Sequence, residues 1–139
     1  MSMSIKQVVI HSDLRRPDQI YQASDEVEQK LTIQRDGTVR LDAISHEGYP
    51  CWKEEKEIDE ELAIEILDLL EQYAKQPAEL SQADASEWEM HIVYNDDSQQ
   101  KLKGPMIGKV YAGDVDLTDF IRNHLPFMSL GVFDRTDSL

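Results

Sequence analysis

The alternation on either side of Asp36-Gly37 constrains this chain more than any other feature. Before it, in residues 27–35 (VEQKLTIQR), Val27, Leu31 and Ile33 fall on one face of an extended segment. After it, Val39, Leu41 and Ala43 resume the same period. Alternation of this kind marks two half-buried strands joined by a tight turn. Parity then selects the turn. A two-residue Asp-Gly loop pairs Ile33 with Arg40 and puts an apolar and a charged residue on one face. A three-residue Arg35-Asp36-Gly37 loop pairs Ile33 with Val39 and Leu31 with Leu41. The expectation is a type I turn followed by Gly37 in the left-handed region, with a bulge.

The flanking segments extend this pattern. Residues 5–11 (IKQVVIH) suggest a first strand, followed by a polar loop containing Arg15-Arg16-Pro17. Residues 46–57 (HEGYPCWKEEKE) read as a loop with a charged exit, in which Tyr49, Pro50, Cys51 and Trp52 anchor into the core. A helix is predicted over 59–75, with Asp59 as its cap and Glu60 and Glu61 at the positive end of its dipole. At 100° per residue, Leu62, Ala63, Ile66, Leu67, Leu69, Leu70, Tyr73 and Ala74 cover half the circumference. So wide a stripe suits packing on a sheet. Glu61, Glu65, Asp68 and Glu71 project from the other half without matching cations, and Ile64 alone breaks the division.

After a polar connection around Pro77, the outline repeats. Trp88, Met90, Ile92 and Tyr94 alternate, Asn95-Asp96-Asp97-Ser98 turns the chain, and 99–104 returns as a polar edge strand. A shift of 61 lays Val27, Leu31, Ile33, Asp36 and Leu41 on Trp88, Ile92, Tyr94, Asp97 and Leu102. Residues 107–112 offer a further short strand. A last helix carries Leu117, Phe120, Ile121 and Leu125 and stops at Pro126. The tail PFMSLGVFD is apolar, and either folds back on the core or forms a partner-facing patch.

The expected class is therefore α+β: an antiparallel sheet of about four to five strands, covered on one face by two helices. With 139 residues and 40% apolar content, the chain reads as a single domain, 1–139. Its halves, about 27–76 and 87–125 with the tail at 126–134, are two ββα units or simply two similar coverings of one sheet.

Charge removes some functions. The formal net charge of −14 is spread along the chain, so a phosphate backbone is repelled and direct nucleic-acid binding is disfavoured. No apolar run approaches the ~20 residues that span a bilayer, and Val8-Val9-Ile10 is too short for a secretory signal. Cys51 is the single cysteine, which excludes an internal disulfide and a thiolate cluster. The expectation is a cytoplasmic protein, monomer or homodimer, with no membrane contact.

The most chemical-looking stretch is GKVYAGDVDLTDF, residues 108–120. Asp114-Val-Asp116-Leu-Thr118 matches the D-x-D-x-T pattern of haloacid-dehalogenase-type phosphotransferases, in which a strand delivers an aspartate nucleophile. That chemistry also needs later lysine and acidic motifs to hold Mg²⁺ and phosphate. The 20 residues after Asp119 contain neither a lysine nor an acidic pair. A calcium loop lacks its glycine, and Leu125 stands where a bidentate Glu belongs. Asp116 as a helix cap with Asp119 in the first turn explains the stretch more simply. Cys51 with His46, aided by His91 or Asp42, is the other catalytic arrangement, but Glu47, Glu54, Glu55 and Glu57 surround the thiol and disfavour a thiolate. His11, His46, His91 and His124 are scattered without metal-ligand spacing, and no glycine-rich phosphate loop is present. Neither cofactor nor metal is expected, and no residue is assigned a catalytic role.

Trp88-x-Met90-x-Ile92-x-Tyr94, Asp96-Asp97 and then Leu117, Ile121-Arg122, Leu125 and Phe133-Asp134 give the second half an outline of its own. It resembles that of small cytosolic bacterial proteins carrying an uncharacterised α+β domain. The resemblance covers residues 87–134 and implies no activity; in it, Asp97 stands where the turn glycine is expected. The function expected is a non-enzymatic protein-binding module, immunity- or inhibitor-like, that engages a basic partner through Glu61, Glu65, Asp68 and Glu71. The alternatives are a small hydrolase using Cys51 and His46 or the Asp114/Asp116 pair, and a self-associating structural protein.

Overall fold

The alternating segments pair side by side in the computed structural model, which describes residues 4–13, 20–75, 87–105, 111–112 and 114–125. The strands are β1 (Ile5–Asp13), β2 (Glu26–Gln34), β3 (Thr38–Ser45), β4 (Pro50–Glu57), β5 (Glu87–Tyr94) and β6 (Gln99–Pro105). They form one sheet in the order β4-β3-β2-β1-β5-β6, antiparallel at every step. Helix α1 (Glu60–Ala74) links β4 to β5. A two-stranded ribbon, β7 (Tyr111–Ala112) with β8 (Val115–Asp116), leads into α2 (Leu117–His124).

The Asp36-Gly37 hairpin has the register that parity requires. Ile33 faces Val39 and Leu31 faces Leu41. The Gly37 N–H donates to Gln34 O at 3.1 Å, and Gly37 has φ +100°. The Gly37 carbonyl in turn accepts the Ile58 N–H at 2.8 Å, so this turn holds the chain between β4 and α1.

One face of the sheet is dry. Val8 and Ile10 of β1, Leu31 and Ile33 of β2, Val39 and Leu41 of β3, and Trp88, Met90 and Ile92 of β5 are all buried there. Ile66, Leu67 and Leu70 of α1, with Leu117 and Ile121 of α2, complete one continuous cluster. On α1 the divided circumference is realised: Leu62, Leu69, Tyr73 and Ala74 pack partly against that cluster. Of the resembled outline, Trp88, Met90, Ile92, Leu117, Ile121 and Leu125 are buried, Tyr94 and Arg122 are half-buried, and Asp96 and Asp97 are exposed in the turn.

Two expectations are corrected. The sheet has six strands rather than four to five, because β4 occupies residues read as a loop. All eight residues of β4 are exposed, so its sequence carries no period-two apolar pattern; backbone pairing with β3 alone defines it. Tyr49 (66% exposed), Cys51 and Trp52 (36%) therefore do not anchor a loop in the core. The Trp52 indole N–H instead donates to Glu26 at 2.7 Å. The expectations for Arg15-Arg16-Pro17, the connection around Pro77, most of 107–112 and the apolar tail 126–134 lie outside the described residues.

The second hairpin repeats the first with one substitution. The Asp97 N–H donates to Tyr94 O at 2.9 Å, and Asp97 has φ +68°, so it does the work of Gly37. Replacing Asp97 with glycine is expected to stabilise the protein by about 0.5 kcal/mol, read from the urea midpoint, since glycine reaches this region without strain. The ion pair it removes, Lys6 to Asp97 at 3.3 Å, is exposed and contributes little. Beside it, the Ser98 hydroxyl and then the Ser98 N–H donate to Asp96 and hold its carboxyl below the usual aspartate value. That contribution is present above the unfolded carboxyl pKa and is lost as pH falls through the lower folded one.

Candidate functional site

The acidic residues of α1 stand where the 100° rotation puts them. Glu61, Glu65 and Asp68 are exposed, while Glu71 is half-buried. Two of the four have cations that the sequence did not reveal. Asp68 lies 3.7 Å from Arg35, which reaches over from the β2-β3 turn, and Glu71 holds Lys75 at 3.2 Å. Glu61 and Glu65 have no cation within ion-pair distance among the described residues.

Those two belong to a longer acidic surface. β4 ends with Glu54, Glu55 and Glu57, and Asp59, Glu60 and Glu61 follow directly into the first turn of α1. All six are exposed. Among the described residues only Glu54 of the β4 acids meets a lysine, Lys56 at 3.6 Å. The register sends Glu54 to the helix-covered side of the sheet, opposite Leu41, and Glu55 and Glu57 to the other side, opposite Arg40 and Thr38. The charge thus wraps a corner of the molecule. No described strand pairs with the outer edge of β4, so backbone N–H and C=O groups are presented beside these carboxylates.

The arrangement has a cost for the isolated chain. Glu61 and Glu65 are four residues apart on a helix, a spacing at which like charges destabilise by about 0.2–0.5 kcal/mol. Asp59 sits at the N-cap position of α1 but makes no side-chain cap hydrogen bond. Asp116, at the start of α2, does cap, accepting the Asp119 N–H at 3.2 Å. Asp116→Ala is accordingly expected to lower stability by about 1 kcal/mol and Asp59→Ala by clearly less, both measured by chemical denaturation.

Each residue of the catalytic alternatives has a structural setting of its own. Asp116 is the cap of α2 and Asp114 is an exposed turn residue ahead of it. Cys51 is exposed on β4, while the His46 ring lies 5.8 Å from that of Tyr21 and Asp42 accepts from Arg40 at 3.0 Å. His91 hydrogen-bonds Gln99 at 2.7 Å, and the His124 ring stacks on Phe120 at 4.3 Å. Among the described residues no group of three or more His, Cys, Asp or Glu side chains is placed to hold a metal ion. Among them, too, no helix is long and apolar enough to cross a membrane.

Reading the helix alone missed the β4 half of the acidic corner. Its signal was the run Glu54-Glu55-Lys56-Glu57 leading into Asp59-Glu60-Glu61. Comparison of the chain with protein-family models, with curated proteins and with solved structures finds no match in any of the three.

Proposed function

We propose that this chain is a non-enzymatic protein-binding module that engages a basic partner through the corner formed by β4 and the first half of α1. The observation that carries the reading is the run of exposed carboxylates from Glu54 to Asp68, of which, among the described residues, only Glu54 and Asp68 meet a cation. Glu61 and Glu65 repel each other in the free protein, and a cationic partner turns that repulsion into attraction. Rim charges of this kind mainly raise association rates and exclude wrong partners. One concrete form is an immunity- or inhibitor-type protein that covers the basic cleft of a toxin or nuclease. The reading goes with a cytoplasmic protein acting as monomer or homodimer.

The test is charge reversal with a stability control. Glu65→Lys places a lysine four residues after Glu61 and three before Asp68, so helix stability should hold or rise by about 0.5 kcal/mol. The triple variant Glu61→Lys/Glu65→Lys/Asp68→Lys should stay folded yet lose every partner that the native protein captures at low salt and releases at high salt. Capture that survives both salt and charge reversal would sink the proposal.

A further inference from the structure

The sheet face opposite the buried cluster carries a different kind of surface. There the registers align a row across the strands, from β4 to β6: Lys53, Asp42, Lys30, His11, Glu89 and Lys103. The neighbouring row brings Val9, His91 and Lys101 side by side. Between the rows lies a depression of about 600 Å³, with half-buried Val9 and Ile44 in its lining and Lys30, Lys101 and Lys103 around it.

Its charges do not cancel. Glu28 is engaged by His11 at 2.5 Å, and Asp42 by Arg40 at 3.0 Å. Among the described residues Lys30, Lys101 and Lys103 form no ion pair, and Glu89 is the one carboxylate in the lining. Lys101 and Lys103 stand two residues apart on one strand face, so their positive potentials add at the β6 side of the hollow. A chain of net charge −14 thus gathers three unpaired ammonium groups around one hollow.

The rest of the charge decides the size of the anion. A polyanion extends beyond the hollow and meets the carboxylates elsewhere on the surface. A small anion seated on Lys101 and Lys103 lies within contact distance of those two, while distant charges are screened over a Debye length of about 8 Å. Val9, in the same row as Lys101, offers an aliphatic contact to a ligand with an apolar part.

We propose that this depression binds a small organic oxyanion, a carboxylate or phosphate on an aryl or short alkyl body, with Lys101 and Lys103 holding the oxyanion, Val9, two strands away in the Lys101 row, contacting the body, and Lys30 adding its charge from across the hollow. The site is independent of the acidic corner.

The test is amide NMR of the full chain, titrated separately with benzoate, phenyl phosphate, inorganic phosphate and benzyl alcohol. Benzoate, phenyl phosphate or both should shift signals of His11, Lys30, His91 and Lys101; whichever binds identifies the head group. Inorganic phosphate and benzyl alcohol should each bind about tenfold or more weakly, one lacking the body and the other the charge. Lys30→Gln/Lys101→Gln/Lys103→Gln should weaken binding by about tenfold or more, and Lys75→Gln should leave it unchanged. Glu89→Gln supplies a second arm should the triple variant lose its folded spectrum: removing that carboxylate should tighten binding about threefold. Shifts scattered over the surface, equal binding of benzyl alcohol and benzoate, or unaltered affinity in Glu89→Gln would overturn the assignment.

Discussion

Replacing Gly37 with alanine is expected to destabilise the protein by about 3 kcal/mol. Two costs combine. At φ +100° a side chain is strained, and leaving the right-handed regions costs an L-residue about 1–2 kcal/mol. An added Cβ would also overlap the Ile58 carbonyl oxygen, which is backbone and cannot rotate away. Relief requires moving the segment between β4 and α1, and that loosens the Ile58 N–H bond to Gly37 O, worth about 1 kcal/mol. Gly48 separates the two costs. It has φ +93° but nothing within 4 Å of an added Cβ, so Gly48→Ala should show the conformational part alone, about 1–2 kcal/mol. Urea midpoints of the two variants decide it. Equal losses would mean that Gly37 is not pressed against the start of α1.

Gly37 also shows where sequence reading succeeded and why. Its hairpin was legible because both strands bury one face, so a one-residue slip would carry Leu31, Ile33, Val39 and Leu41 into water. β4 was illegible for the opposite reason: an exposed edge strand places no apolar demand on its residues. The two hairpins align at two different offsets. A shift of 61 preserves which residues face the core, but the turns superpose at a shift of 60, where Asp97 matches Gly37. Hence Ile33, next to the first turn, is buried, whereas Val93 in the same place faces the open side.

The candidate surfaces divide along the same line. The acids of α1 follow from rotation about a helix axis, which sequence supplies. Arg35 reaching Asp68 depends on a strand turn more than 30 residues earlier. The open-face row depends on five registers at once, and none of its residues stands out alone. What was legible is what is periodic and buried; charge patterns that cross strands become visible only after pairing.

Removing Trp88 is expected to be the most damaging single truncation of the buried cluster, with Trp88→Ala costing about 4 kcal/mol. The indole is 1% exposed, on β5 next to the central β1, with the Tyr73 ring of α1 at 6.1 Å and tilted by 56°. It therefore spans the layer between sheet and helix, and alanine leaves a cavity that rigid neighbours on both sides cannot close. Trp52→Ala is the matched control. That ring is 36% exposed on the edge strand, and its hydrogen bond goes to Glu26, also exposed, so its loss should cost under about 1 kcal/mol. Fluorescence distinguishes the two without unfolding. The protein retaining only Trp88 should emit at shorter wavelength and resist acrylamide, and the protein retaining only Trp52 should do neither. Comparable stability losses in the two variants would refute the placement of Trp88 between β5 and α1, and with it the packing that holds the acidic face of α1 outward.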